Sequence, residues 1–121
     1  YLLGIFSDNE LPFSKTKGVI GNYLKMGPED PGHQKAQQWL KERGIGTDEI
    51  SEEHDRQFME EVIERYFSVV GAAMKKHLPN HLYLGTRFHG RALSNDSLFK
   101  IAGKYVDVVS VNYYHKWTPE Y

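Results

Sequence analysis

Residues 1–13, Tyr-Leu-Leu-Gly-Ile-Phe-Ser-Asp-Asn-Glu-Leu-Pro-Phe, form an apolar run that leads directly into two acids and an amide. The apolar part, Leu2–Ser7, predicts a buried β-strand, and Asp8, Asn9 and Glu10 follow at its carboxyl end. Parallel α/β folds place their catalytic groups at the carboxyl ends of strands. This stretch therefore predicts both a parallel sheet and the position of an active site.

Two more strands are predicted further along the chain, at Leu82–Phe88 and Val106–Tyr114. The main helix is predicted to begin at Ser51 and to end before Pro79, with acids in its first turn and lysines in its last. Seven residues at spacings of three and four predict one apolar stripe along it: Phe58, Val62, Tyr66, Val69, Val70, Ala73 and Met74. This stripe is expected to pack on the sheet.

Shorter helices are predicted on either side of the main one. The long excursion at 11–50 contains a helix capped by Asp30, with proline at its first position and a glycine ending it. A second short helix is predicted at 97–104, capped by Asn95 or Ser94. The resulting order, β-α-β-α-β, predicts an α/β fold with parallel strands and right-handed crossovers.

Polar side chains alternate along two of the predicted strands. Gly85, Arg87 and His89 would share one face of the second strand, and the polar Ser110, Asn112 and Tyr114 one face of the third. Leu84, Thr86 and Phe88 would lie on the opposite face of the second strand, while Val109, Val111 and Tyr113 would point toward a helix layer. A polar strand face suits a barrel lumen beside an active site. The pattern therefore favours a partial TIM (β/α)8 barrel.

Three strands cannot close such a barrel, which needs eight strands and about 250 residues. The expected domain organisation is a single catalytic barrel domain, of which residues 1–121 form a fragment. A net charge of -1, with basic residues scattered among acids, predicts no binding to nucleic acid or to an anionic membrane. The absence of cysteine excludes disulfides and thiolate metal sites.

Neither a metal nor a cofactor is predicted. His77 and His81 are four residues apart, but Pro79 breaks the helix that would align them for a shared metal ion. Oligomeric state is left open by the sequence.

The side chains after the first strand suit the cleavage of a glycosidic bond. Such cleavage requires an acid that transfers a proton and a hydrogen bond to the sugar, which Glu10 and Asn9 can supply from adjacent positions. Asp8 is expected to orient the turn, because neighbouring residues cannot flank a scissile bond from opposite sides. Without further context, the same tripeptide also fits a turn with helix-capping residues.

Four blocks in the same order resemble β-agarase-like glycoside hydrolases, members of the retaining (β/α)-barrel clan that includes β-galactosidases. They are Gly4-Ile-Phe-Ser-Asp-Asn-Glu10, Glu64-Arg-Tyr-Phe-Ser-Val-Val70, Pro79-Asn-His-Leu-Tyr-Leu-Gly-Thr-Arg-Phe88 and Tyr105-Val-Asp-Val-Val-Ser-Val-Asn-Tyr-Tyr114. The resemblance implies barrel strands four to six, and it covers nearly the whole chain.

The resemblance also implies roles for individual residues. Glu10 matches the general acid/base, and Asn9 the amide that binds the 2-hydroxyl of the sugar. Tyr114 and Asn112 match the sixth-strand position that reaches the bound sugar or the nucleophile. The nucleophile itself would follow a seventh strand beyond Tyr121, so the isolated fragment is expected to be inactive.

Arg87 and His89 match the end of the fifth strand in the family, where they would bind sugar hydroxyls. They could instead line a loop or pair with Asp96. Tyr114 could be a packed aromatic residue whose hydroxyl is satisfied by a neighbour. Trp117 is a candidate for stacking on a sugar ring.

Trp39 is also an aromatic candidate for a sugar ring, but its position on a helix favours the core. The substrate predicted from the resemblance is a galactan-type polysaccharide. A non-catalytic carbohydrate-binding barrel, or a relative with β-galactosidase or other β-glycanase activity, is the alternative. The compartment is not determined by the sequence, although the family resemblance is compatible with a secreted or periplasmic protein.

Overall fold

The computed structural model describes residues 1–13 and 16–114 of the chain. Its elements follow the α/β order with more helix than strand. They are β1 (Gly4–Ile5), α1 (Val19–Leu24), α2 (Pro31–Arg43), α3 (Glu52–His77), β2 (Leu82–Tyr83), a 3-10 helix at Gly90–Ser94 and α4 (Asp96–Ala102). Within the described residues, no helix is long and apolar enough to cross a membrane.

The two strands pair in parallel, as the sequence predicted. Gly4 lies opposite Leu82, and Ile5 lies opposite Tyr83. A Cβ atom on Gly4 would stand 2.5 Å from the carbonyl oxygen of Leu82, so the approach of the two backbones requires glycine at this position. The parallel pairing brings the carboxyl ends of both strands to the same edge.

Both strands are shorter than the sequence predicted. The first prediction, Leu2–Ser7, corresponds to the two residues of β1. In the second, Leu82–Phe88, regular strand ends at Tyr83, and the backbone takes positive φ at Gly85 (74°) and Arg87 (49°). Left-handed residues interrupt the regular strand, although Thr86 and Phe88 are still buried while Arg87 and His89 are more exposed, as the predicted faces required.

The third predicted strand, Val106–Tyr114, is reduced to one isolated parallel bridge between Phe88 and Val111. The amide of Asn112 also donates to the carbonyl of Phe88 at 2.8 Å. Val109 and Val111 are 39% and 48% exposed among the described residues, so the helix layer that they were expected to face stays a prediction. A single bridge fixes one point of this segment beside the second strand and leaves its apolar side uncovered.

Helix α3 begins and ends where the sequence predicted. The Ser51 hydroxyl accepts from the amide of His54, and the His54 ring accepts from the amide of Ser51, which closes a capping box. Acids fill its first turn and basic residues its last turn, as the helix dipole favours.

The apolar stripe of α3 is wider than predicted and centred on other residues. Val69 is 47% exposed, and Ala73 is also exposed, so both were wrongly placed on the buried face. The stripe also omitted four buried residues, Met59, Ile63, Phe67 and Gly71. Helix α3 packs against α1 on one side and α4 on another, and this double contact buries a broader arc than one sheet would.

Helix α2 confirms the predicted cap and end. The Asp30 carboxylate accepts from the amides of Gly32 (2.7 Å) and His33 (3.3 Å), and Gly44 ends the helix in the left-handed conformation. Trp39 is fully buried on this helix, which confirms its assignment to the core.

Helix α1 lies in the same excursion and was not predicted. Its N-terminus receives no cap from its own residues. Instead Asp55 of α3, only 5% exposed, accepts from the amides of Gly18 (2.6 Å) and Ile20 (2.9 Å). A carboxylate at a helix N-terminus satisfies free amides and favours the helix dipole. This contact joins the excursion to α3.

Helix α4 begins one residue earlier than predicted, and its cap is Asn95 rather than Ser94. The Asn95 side chain accepts from the amide of Leu98 at 3.1 Å. The core then continues from α3 through the ring of Phe88 to Phe99 of α4, with ring centroids 5.4 Å apart. Helix α4, which precedes the third predicted strand, is therefore packed on the core.

Phe67 tests the corrected position of the stripe, because it is fully buried beside Phe13 and Phe88. We expect Phe67→Ala to lower the free energy of unfolding by about 3–5 kcal/mol, through lost burial and the cavity it leaves. Val69→Ala on the exposed side of the same helix is the control, with a change within about 0.5 kcal/mol. Chemical denaturation measures both; a larger loss for Val69→Ala would restore the original stripe.

Candidate active site at the carboxyl ends of the strands

The chain beyond β1 continues beside the residues that follow β2. The amide of Ser7 donates to the carbonyl of Gly85 at 3.0 Å, and the amide of Glu10 donates to the carbonyl of Thr86 at 2.9 Å. Glu10 adopts a φ of 57°, which is uncommon for a residue other than glycine and is frequent at functional sites. These bonds fix the backbone of Glu10 at the strand ends.

Two of the predicted site residues, Asn112 and Tyr114, hydrogen-bond to the Glu10 carboxylate. The Asn112 amide nitrogen lies 2.7 Å from Glu10 Oε1 and 3.0 Å from Asn9 Oδ1. The Tyr114 hydroxyl donates to the same Glu10 oxygen at 2.5 Å. Asn9, Glu10, Asn112 and Tyr114 thus form one hydrogen-bonded cluster, although 102 positions separate Glu10 from Asn112.

The cluster also orients the Asn9 amide. The carbonyl oxygen of Asn9 accepts from Asn112, so its NH2 group points away from that bond as a hydrogen-bond donor. Tyr114 is 67% exposed and hydrogen-bonds to both Glu10 and Asn112, so it is a member of the polar cluster rather than a packed aromatic residue. The NH2 group of Asn9 is therefore a donor that the cluster itself does not use.

His89 and Arg87 lie at the edge of the cluster. His89 Nδ1 stands 4.0 Å from Glu10 Oε2, and its ring meets the edge of Tyr114 with centroids 4.9 Å apart. The Arg87 guanidinium lies 4.8 Å above the ring of Phe6. The contacts within the described part of the chain therefore do not include the pairing with Asp96 that the sequence left open.

The surroundings of Glu10 favour its charged form. Hydrogen bonds from Tyr114, and then from Asn112, hold the pKa of Glu10 below its ordinary value, with smaller electrostatic contributions from His89 and Arg87. In return, the bond to Glu10 raises the pKa of Tyr114. Glu10 is therefore an ionised acceptor at neutral pH in this structure.

A second polar cluster lies behind the turn and was not predicted from the sequence. The Tyr66 hydroxyl donates to Asp8, and the Ser7 hydroxyl lies 3.1 Å from Tyr66 and 2.9 Å from the hydroxyl of Tyr83. Burial, and then the bond to Asp8, raises the pKa of Tyr66, so its hydroxyl stays a donor. The available signal was a tyrosine in an otherwise apolar stripe, since a buried hydroxyl requires a partner.

Of the two tryptophans, only Trp39 lies within the described residues. Trp117 lies outside the described residues, so its proposed stacking on a sugar remains a prediction. Trp39 donates from its ring nitrogen to Glu61 at 2.7 Å and is covered by Arg43, so it belongs to the packing between α2 and α3. Across residues 1–13 and 16–114, no group of three His, Asp or Glu side chains is arranged to hold a metal ion.

Comparison with curated proteins finds similarity to two β-agarases of Vibrio sp. (strain JT0107). β-Agarase B is 28% identical in an alignment of 148 positions, which covers 94% of this chain and 15% of the relative. β-Agarase A is 43% identical over 63 residues, which cover 51% of this chain and 6% of the relative. No protein-family model matches the chain.

Comparison with solved structures finds the same kind of protein. The crystal structure of BpGH50 superposes with a TM-score of 0.80 and 35% identity, over 96% of this chain and 26% of that one. The agarase AgWH50C gives a TM-score of 0.69 and 33% identity over 93% of this chain and 18% of that one. An exo-β-agarase gives 0.71 and 28% over 92% and 20%. The chain therefore spans about a quarter or less of each relative's length.

The hydrogen bond from Tyr114 can be tested by titration. Tyr114→Phe removes the main contact that favours ionised Glu10, so we expect the pKa of Glu10 to rise toward its ordinary value. Tyr105→Phe is the matched control, because the Tyr105 hydroxyl donates to Glu64 on α3 and its loss raises the pKa of Glu64 instead. NMR titration of the carboxyl carbons separates the two; an unchanged Glu10 in Tyr114→Phe would contradict the described contact.

Proposed function

Since the chain is a homologue of β-agarases, we propose that it is part of a retaining glycoside hydrolase that cleaves β-glycosidic bonds in a galactan-type polysaccharide. The observation that carries the proposal is that Asn112 and Tyr114 both bond to the Glu10 carboxylate, while Asn112 also bonds to Asn9. Homology supplies the reaction class, and the cluster supplies groups able to perform one side of the reaction.

In this proposal Glu10 is the general acid/base. Its carboxyl group protonates the leaving glycosidic oxygen in the first step and accepts a proton from water in the second. Asn9 presents its NH2 group to the 2-hydroxyl of the sugar, a contact that strengthens in an oxocarbenium-like transition state. The bond that Asn112 makes to the Asn9 carbonyl supports this assignment, because it leaves the donor side of Asn9 open.

The lowered pKa of Glu10 indicates that the complete site needs a second carboxyl group nearby. A general acid needs a proton near neutral pH, whereas Tyr114 and Asn112 lower the pKa of Glu10. A second carboxylate close to Glu10 would raise its pKa by like-charge repulsion. We assign this carboxylate to the nucleophile, beyond residue 121, after a seventh strand. Residues 1–121 alone then lack half of the machinery, and we expect them to hydrolyse no glycoside.

The fold belongs to the same proposal. We infer that residues 1–121 correspond to strands four to six of a (β/α)8 barrel, with 11–50 as a long excursion after the fourth strand. The parallel pairing of β1 with β2 and the parallel bridge from Phe88 to Val111 support three neighbouring strands in chain order. The similarity to BpGH50 over 96% of this chain supports the same reading.

Arg87, His89 and Trp117 are proposed to bind the polysaccharide beside the cleaved bond. The buried Nε of Arg87 has no hydrogen-bond partner within the described residues, so its guanidinium keeps an unused donor. His89 lies between Tyr114 and the outer oxygen of Glu10, where it can meet a sugar hydroxyl. Neither a metal nor a cofactor enters the proposed reaction.

Glu10→Gln in the full-length protein tests the acid/base role, because glutamine keeps the shape and cannot transfer the proton. We expect hydrolysis of a natural oligosaccharide to fall by about a hundred- to ten-thousand-fold. An aryl glycoside with a good leaving group should lose much less in the glycosylation step, since that step needs little protonation. Glu29→Gln, at an exposed glutamate, is the control and should leave the rate unchanged.

Equal losses on both substrates, or no loss, would show that Glu10 is not the acid. Binding of the oligosaccharide without any hydrolysis by the wild-type protein would favour a non-catalytic carbohydrate-binding barrel. Turnover of β-galactosides or other β-glycans in place of agarose would assign a different substrate to the same site.

The spacing of the two carboxyl groups is a separate test of the mechanism. A retaining enzyme holds them about 5–5.5 Å apart, so a crystal structure of the full-length protein is expected to show a second carboxylate at that distance from Glu10. The anomeric configuration of the first product, followed by NMR, is expected to be that of the substrate. A separation of about 6.5–9.5 Å with an inverted product would contradict retention.

A further inference from the structure

The side chain of Asp8 points away from the Glu10 cluster and toward helix α3. There it accepts from the Tyr66 hydroxyl, whose oxygen lies 3.1 Å from the hydroxyl of Ser7. The Ser7 hydroxyl lies in turn 2.9 Å from the hydroxyl of Tyr83 on β2. Four side chains thus join the end of β1, the middle of α3 and the end of β2.

The hydroxyl groups of this hydrogen-bond network donate in one direction, toward Asp8. Tyr66 has a single hydroxyl hydrogen and donates it to Asp8. The one hydroxyl hydrogen of Ser7 has two acceptors in reach, Tyr66 at 3.1 Å and the carbonyl of Gly85 at 3.5 Å, and the shorter contact favours donation to Tyr66. Tyr83 then donates to Ser7. Aligned donors and acceptors strengthen one another, and this chain terminates on the carboxylate of Asp8. Asp8 is therefore the fixed end of the network.

Asp8 stands two residues before Glu10, whose backbone has a positive φ of 57°. Such a conformation persists in a non-glycine residue only where its surroundings hold it. Two contacts hold this turn. The Glu10 amide donates to the carbonyl of Thr86 at 2.9 Å. The Asp8 side chain accepts from Tyr66, which ties the turn to helix α3.

The Tyr66 ring is itself held rigidly. It packs edge-on against Phe13, with centroids 5.4 Å apart, and against Phe67, with centroids 5.0 Å apart. Removing only its hydroxyl therefore leaves the ring in place. The hydroxyl can be judged separately from the packing.

We propose that Tyr66 is a positioning residue for Glu10, and that it holds the turn Asp8-Asn9-Glu10 against α3 through its bond to Asp8. The inference rests on the proposed function, in which Glu10 is the acid/base. Tyr66 touches neither the substrate nor the reacting atoms. It acts by setting where the Glu10 carboxyl group stands relative to the scissile bond.

Tyr66→Phe in the full-length protein is the primary test. We expect kcat on agaro-oligosaccharides to fall by about ten- to a hundred-fold, because a small displacement of a catalytic group has an effect of that size. KM is expected to stay within about twofold. Asp8→Ala should have the same effect, and Asp8→Asn, which keeps an acceptor oxygen for Tyr66, should retain most of the rate.

Tyr105→Phe is the matched control. Tyr105 also donates its hydroxyl to a carboxylate, that of Glu64 on α3, and it is not among the contacts of the Glu10 cluster. Both variants lose one tyrosine–carboxylate bond to the same helix, so both should lower thermal stability to a similar degree. Only Tyr66→Phe should reduce kcat. Equal kcat in the two variants, or a loss in Asp8→Asn as large as in Asp8→Ala, would overturn the proposal.

A readout that does not require hydrolysis separates this inference from the proposed function. The carboxyl carbon of Glu10 can be titrated by NMR in the wild type and in both variants. Tyr66→Phe should change the chemical shift and the titration of Glu10, whereas Tyr105→Phe should change neither. A wild-type protein without glycosidase activity would overturn the proposed function alone, and an unchanged Glu10 in Tyr66→Phe would overturn the positioning role.

Discussion

The register between β1 and β2 is the constraint on which the site depends. Gly4 lies so close to Leu82 that no side chain fits between them, and this approach sets which residues beyond each strand stand side by side. The amide of Glu10 then reaches the carbonyl of Thr86. A slip of one residue would turn every side chain to the opposite face, and the acid would leave its cluster.

Helix α3 supports the turn from behind, which gives this helix two tasks. Its buried rings, Phe58 and Phe67, stabilise the core, while the hydroxyl of Tyr66 reaches the strand end and meets Asp8. The Glu10 cluster is built differently, from Asn112 and side chains far away along the chain. Glu10 is therefore held by a backbone bond to Thr86, through Asp8 by helix α3, and by side chains of the distant segment at 112–114, and each can be altered separately.

Local signals in the sequence were sufficient to locate the helix ends. Ser51, Asp30 and Asn95 each cap a helix with their own side chain, so the prediction needed no knowledge of the fold. Helix α1 was not predicted, because its cap comes from Asp55 of another helix. The strand predicted over 82–88 was too long, since a left-handed backbone at Arg87 has no signature in residue type.

Glu10, Asn112 and Tyr114 were each predicted as site residues, but the contacts among them were not, because the family resemblance placed Tyr114 and Asn112 near the bound sugar or the nucleophile. The role of Asp8 as an orienting group was also expected, but its partner was not. Tyr66 was counted as part of an apolar stripe, and only the three-dimensional structure shows which of its atoms faces the turn. A periodic pattern predicts which face of a helix a residue lies on, but it does not predict where the polar end of a long side chain reaches.

The buried carboxylate of Asp55 has a consequence for how the excursion can change during evolution. It fastens the start of α1 to α3, and the bond from Trp39 to Glu61 fastens α2 to the same helix. Residues 25–29 lie on the surface, between the two helices that these contacts attach to α3. Insertions there add little closure entropy and need not be transmitted to the strand ends. The loop between α1 and α2 can therefore vary in length among relatives while both helices stay attached to α3.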